Sequence, residues 1–172
     1  LALTFTNKAA GEMRERVDEL VPEGIAGRRG LFVSTFHAFC ARQIRTHAER
    51  VGLDPGFSIY DTADQRAAMK EAIAGVGLES GNWTPASLLS AVSQGKNALQ
   101  TAAAYEEEAH DFYTRTVARC YAAYEKILVR NNAVDFDDLL LKTALLLRSC
   151  DEVREQLQDR FRYVLIDEYQ DT

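Results

Sequence analysis

The sequence predicts an α/β chain of mainly helical content, in which a parallel sheet layer is interrupted by an all-α insertion. Two short apolar runs, 1–5 (LALTF) and 31–35 (LFVST), each lead straight into a helical stretch. From Asp64 onward the pattern is almost purely helical, until a third apolar run, 161–166 (FRYVLI), closes it. Parallel strands need crossover connections, and the helices after Thr6 and Thr35 supply material for them. The three runs are therefore expected parallel in one sheet, with their carboxyl ends on one edge.

The elements follow in order. Thr6 or Asn7 caps a helix that continues to Leu20, and 21–30 (VPEGIAGRRG) is a Pro/Gly loop. A second helix runs from Phe36 to about Val51, where Gly52 ends it. Another spans about Asp64 to Ala74, and the next opens with Thr84 as cap and Pro85 at its first position. A long helix is expected over Ala102 to Arg130, another over Phe136 to Arg148, and a short polar one over 151–160. The layer thus comprises residues 1–40 and 159–172, and the insertion residues 41–158.

Hydrophobic residues make up 47% and charged residues 27%, enough apolar material for a core. No apolar run reaches bilayer length and no signal-peptide pattern opens the chain, so no membrane partner and a cytoplasmic location are expected. Cys40, Cys120 and Cys150 stand far apart without metal-ligand spacing, which reads as buried thiols in a reducing compartment. The net charge of -6 is unevenly spread. Residues 1–50 carry eight Lys and Arg against six Asp and Glu, whereas residues 151–172 carry three against seven. A weakly basic start and an acidic end fit nucleic-acid contacts early and a metal site late.

The strongest motif is RYVLIDEYQDT at 162–172. An apolar strand ending in adjacent acids puts two carboxylates at the carboxyl edge of a parallel sheet, where ligands bind. Asp167 there would hold Mg²⁺ through water, since Mg²⁺ prefers oxygen ligands and dehydrates reluctantly. Glu168 would orient and deprotonate the water that attacks a γ-phosphate. A bare Asp-Glu pair after a strand is more often a solvated acidic turn; the full hexapeptide reverses that balance.

DEYQDT resembles motif II, the Walker B element, of superfamily 1 DNA helicases of the UvrD/Rep/PcrA kind. LTFTNKAAGEMRERV resembles their motif Ia, VSTFHAFCARQIR their motif Ib, and DFDDLL a stretch the family carries before motif II. The four segments stand in the family's order, and the resemblance runs from Leu1 to Thr172.

The resemblance implies a RecA-like sheet layer and a helical insertion of the kind called 1B. It implies that Phe5, Thr6 and Asn7 of motif Ia contact single-stranded DNA, with Phe5 stacking on a base. Thr35, Phe36 and His37 of motif Ib would contact DNA backbone or bases. Asp167 and Glu168 would serve the ATP site, Asp167 at the metal and Glu168 in catalysis. Asp135, Phe136 and Asp138 lie near the DNA path in relatives but receive no role, and neither do Lys96 and Asn97. Plainer readings stand beside these: Phe5 as core, His37 as a cap-region residue, and Arg14, Arg16, Arg28 and Arg29 as solvated charges. Phe112, Tyr113, Tyr121 and Tyr124 read as core.

A nucleotide site also needs a phosphate loop, and no GxxxxGK[ST] occurs in these 172 residues. In relatives it precedes motif Ia. Both ends read as cut from a longer protein, so the chain alone is expected to need no cofactor and to be inactive. The parent is expected to use ATP and Mg²⁺ for 3′-to-5′ translocation along single-stranded DNA and unwinding at single/double-strand junctions. Repair or replication restart is the expected setting, with repair proteins as partners. The alternatives are a RecB- or AddA-like nuclease-helicase subunit, or a helical DNA-binding or protein-docking module without enzymatic role.

Overall fold

A computed structural model describes residues 1–21, 30–78 and 83–167. The chain divides into two compact units, Leu1–Gln43 with Leu146–Thr172, and Ile44–Leu145. The divisions fall inside two helices, so 146–158, expected in the insertion, belongs with the sheet-bearing unit.

In the first unit, β1 (Ala2–Thr4), β2 (Val33–Thr35) and β5 (Leu165–Ile166) form one parallel sheet in the order β2-β1-β5. The central strand pairs Thr4 with Thr35 on one side and Leu3 with Ile166 on the other. All three expected runs therefore share one sheet, although more than a hundred residues separate the second from the third. β1 is buried throughout. β5 is shorter and more exposed than the apolar run 161–166 implies: only Leu165 and Ile166 join the ladder, and Leu165 is 68% exposed. As an edge of the described sheet, it is covered by a strand on one side only.

The α1 helix (Asn7–Leu20) packs on β1 and β2, with Ala10 fully buried beneath it. Arg14, expected on a solvated face, donates from Nε to the Val33 carbonyl at 3.3 Å. The α2 helix (Phe36–Thr46) stops earlier than expected, and a separate 3-10 turn, Ala48–Val51, precedes Gly52. Gly52 adopts φ 74°, a left-handed conformation that glycine reaches without steric cost. Phe32, Phe39 and Phe161 pack mutually with ring centroids 6.1–6.2 Å apart, tying β2, α2 and the end of α8 (Asp151–Arg160) into one core. Edge-to-face and tilted rings at such distances are favourable aromatic geometries.

The second unit is built on α3 (Thr62–Gly75), α4 (Pro85–Asn97), α5 (Ala102–Glu107), α6 (Phe112–Arg130) and α7 (Phe136–Ser149). Asp61 opens α3 with a capping box, and Thr84 caps α4 with Pro85 at its first position. The core gathers Met69, Ile73, Leu88, Val92, Val117, Tyr121, Tyr124 and Leu128. Three expectations need correction here. The single helix expected over 102–130 is two, because Asp111 forms a capping box with Thr114 and starts α6 afresh. The insertion is not all-α: β3 (Ser58–Ile59) and β4 (Ala133–Val134) form a two-stranded parallel sheet. Phe112 and Tyr113, expected in the core, are 79% and 50% exposed. They occupy the first turn of α6, whose buried residues begin only at Thr116. Their rings pack beside Trp83 instead, at 6.3 and 5.6 Å between centroids.

Among the described residues no helix is long and apolar enough to cross a membrane. Cys40 and Cys120 are buried and Cys150 is half-buried.

Candidate functional site

The register of the sheet decides which expected site residues meet. Because Thr4 faces Thr35, the residues that follow, Phe5 and Phe36, leave the sheet side by side. Their rings lie 5.1 Å apart at an interplanar angle of 40°. Phe5 is 37% exposed and Phe36 half-buried, so the pair presents aromatic surface at the carboxyl edge rather than vanishing into the core.

Both strands then turn directly into helices. The Thr6 hydroxyl accepts from the Ala9 N–H at 3.1 Å, which makes Thr6 the cap and Asn7 the first residue of α1. The Thr35 hydroxyl accepts from the Ala38 N–H at 3.2 Å and caps α2 in the same way. Two helix N-termini, each with unsatisfied N–H groups and a partial positive charge, thus begin at one edge. Thr6 and Asn7 are exposed there, while Thr35 is buried and His37, in the first turn of α2, is half-buried. Thr35 therefore holds its helix start from within the core.

On the other side of β1, the Asp167 N–H donates to the Leu3 carbonyl at 3.0 Å, extending the ladder to the acidic motif. Asp167 is exposed immediately beyond β5. The structure therefore brings Phe5, Thr6, Asn7, Thr35, Phe36, His37 and Asp167 to one sheet edge. Glu168, like Arg28 and Arg29, lies outside the described residues. The Asp167 carboxylate is a hard oxygen donor in the position such sheets use for ligands, and it fits Mg²⁺, which needs only one or two protein carboxylates.

Sequence reasoning missed a second constellation, in the other unit. Lys96 on α4 is 1% exposed, and its ammonium lies 2.7 Å from Glu125, 2.8 Å from Asp135 and 2.9 Å from Asp138. Tyr124 donates its hydroxyl to the same Asp135 oxygen at 3.1 Å, and the Tyr124 ring faces the ammonium at 5.3 Å. Lys142 adds a second cation, 3.5 Å from Glu125 and 3.6 Å from Asp138. Burial alone would lower the Lys96 pKa, but the carboxylates of Asp138, Glu125 and Asp135 outweigh it and hold it well above the usual lysine range. Burial also raises the Tyr124 pKa, with the Asp135 charge adding to it. Asp135 and Asp138 exchange backbone-to-carboxylate hydrogen bonds at 3.2 and 2.8 Å, a reciprocal cap at the start of α7. Phe136, between these anchors, is about half exposed. The signal was present in the sequence: Leu88, Val92 and Lys96 recur at four-residue spacing, which sets a lysine on an apolar helix face.

The family model for the UvrD/REP helicase N-terminal domain matches residues 1–172. The chain is 41% identical over its whole length to the ATP-dependent DNA helicase PcrA of Staphylococcus aureus, and equally to that of Staphylococcus epidermidis. It spans 23% of the length of these relatives. With the motifs in order, the parallel sheet in place and a family match from end to end, this chain belongs to the UvrD/REP helicase N-terminal domain family.

Proposed function

We propose that the chain is part of the first, RecA-like motor domain of an ATP-dependent DNA helicase, together with its 1B-like helical insertion. On this reading, the sheet-bearing unit of residues 1–43 and 146–172 belongs to the motor layer, and residues 44–145 are the insertion. The observation that carries the proposal is the shared sheet edge, where the Phe5–Phe36 pair and Asp167 follow strands of one rigid layer. The PcrA relatives are named as ATP-dependent DNA helicases, which supports the same activity for the protein containing this chain.

Each residue then has a physical task. Phe5 offers a base a π-face whatever the sequence, which suits movement along single-stranded DNA, and Phe36 packs against it. Thr6 and Asn7, at an exposed helix start, suit a phosphate. Asp167 would hold Mg²⁺ through water, and that ion, when bound, neutralises charge developing on the phosphates. Glu168 would accept the proton of the attacking water. Because strand pairing links these residues, a change on the nucleotide side can alter the DNA grip. The proposed setting is 3′-to-5′ translocation and unwinding of single/double-strand junctions in the cytoplasm, in DNA repair or replication restart.

The test uses the intact protein carrying this chain. Asp167→Asn should weaken Mg²⁺ dependence of ATP hydrolysis while leaving nucleotide-free single-strand binding near wild type. An unchanged Mg²⁺ titration would remove Asp167 from the metal site.

A further inference from the structure

Thr4 is fully buried at the carboxyl end of the central strand, and its hydroxyl makes no hydrogen bond. A buried hydroxyl without a partner costs the fold stability that a valine of the same shape would not cost. Stability of this state therefore gives no account of the hydroxyl. Its position in the sheet does.

Thr4 is the last ladder residue of β1 and lies opposite Thr35. Across its other side, Leu3 pairs with Ile166 and accepts the Asp167 N–H, so Asp167 comes next to Thr4 in register. Thr35 spends its hydroxyl as an acceptor capping α2. The residue after Thr4 is Phe5, whose ring meets Phe36. The unsatisfied hydroxyl thus stands on the backbone link between the proposed metal carboxylate and the proposed base platform.

We propose that Thr4 is a positioning residue whose hydroxyl gains its hydrogen bond in the nucleotide-bound state, donating to the Asp167 carboxylate and fixing it beside the Phe5 turn. This rests on the ATP-site reading given above. Thr4 touches neither nucleotide nor DNA; it acts through Asp167.

The experiment compares wild type, Thr4→Val and Thr4→Ser in the intact protein, by thermal unfolding with and without Mg²⁺ and a non-hydrolysable ATP analogue. Without nucleotide, Thr4→Val should unfold at the wild-type temperature or above, since no hydrogen bond is lost. With nucleotide, its stabilisation should correspond to about 10- to 150-fold weaker binding, the effect of one hydrogen bond to a charged group. Thr4→Ser, which keeps the hydroxyl, should bind as wild type does. A Thr4→Val protein that unfolds earlier without nucleotide, or that is stabilised by nucleotide as much as wild type, would overturn the proposal. Wild type showing no stabilisation by Mg²⁺-nucleotide would instead overturn the ATP-site reading, and this inference with it.

Discussion

Lys96 donates to Asp135 at 2.8 Å in a fully buried site, joining residues thirty-nine positions apart. The contact fastens α4 to the start of α7, and Glu125 and Asp138 bind the same ammonium. Removing the lysine would leave three carboxylates facing one another with Lys142, at 3.5–3.6 Å, as the remaining cation. Lys96→Met should therefore destabilise the protein by about 3–5 kcal/mol, the range for breaking a buried ion pair from one side. Denaturant unfolding at neutral pH measures it, and a loss below about 1 kcal/mol would place the network among weak surface pairs.

The same site sets a pH dependence. The folded lysine pKa lies well above the ordinary value of 10.5, so its contribution is complete below 10.5 and is lost as pH rises through the folded value. Asp135 is raised too, by burial and by Asp138 beside it, against the pull of Lys96. Its sign is the same: the contribution is present below the ordinary carboxylate value and falls as pH rises through the folded one. Wild-type stability should drop on the alkaline side above 10.5. Lys96→Met should lose the lysine's part of that limb, keep the part set by the buried Tyr124 hydroxyl, and recover stability on acidification as its stranded carboxylates protonate. Unfolding midpoints across the pH range of both proteins check this.

Tyr124→Phe removes one donor from Asp135 and leaves the ring in place. The expected cost is about 1–3 kcal/mol, because the buried carboxylate loses a partner without gaining water. Thermal unfolding that matched wild type would show the hydroxyl to be dispensable.

At the sheet edge, Phe5→Ala in the intact protein should weaken single-stranded DNA binding by about 1–3 kcal/mol, the range for one base stack. Fluorescence titrations at two salt concentrations separate this loss from the electrostatic part, which fades with salt for both proteins. Equal affinities would remove Phe5 from the DNA contact.

Much of this architecture could be read from residues. LALTF, LFVST and FRYVLI are bounded apolar runs, each followed by a helix start or acidic turn, and parallel pairing is how such runs close a layer. Thr84-Pro85 and the Thr6 cap announced their helices through their own chemistry. The break before α6 was missed because helical pattern continues across it without Gly or Pro; the signal lay in the Asp111–Thr114 spacing. β3 and β4 are two residues each, too short for any alternation to register. The Lys96 site assembles residues from three helices and a strand end, and such long-range pairing has no local signature beyond one charge on an apolar face. The aromatic pair of Phe5 and Phe36 likewise arises from register, which only the folded sheet supplies.

On the proposed function, the acids following β5 belong to an ATP site on the same layer as the DNA contacts. Single-turnover ATP hydrolysis by the intact Glu168→Gln protein, with single-stranded DNA present, separates this site from a solvated acidic turn. An amide cannot accept the proton of the attacking water, so the variant should bind Mg²⁺-ATP nearly as wild type does and lose most hydrolysis. Near-normal turnover by Glu168→Gln would remove Glu168 from the chemistry and the acidic turn from an ATP site.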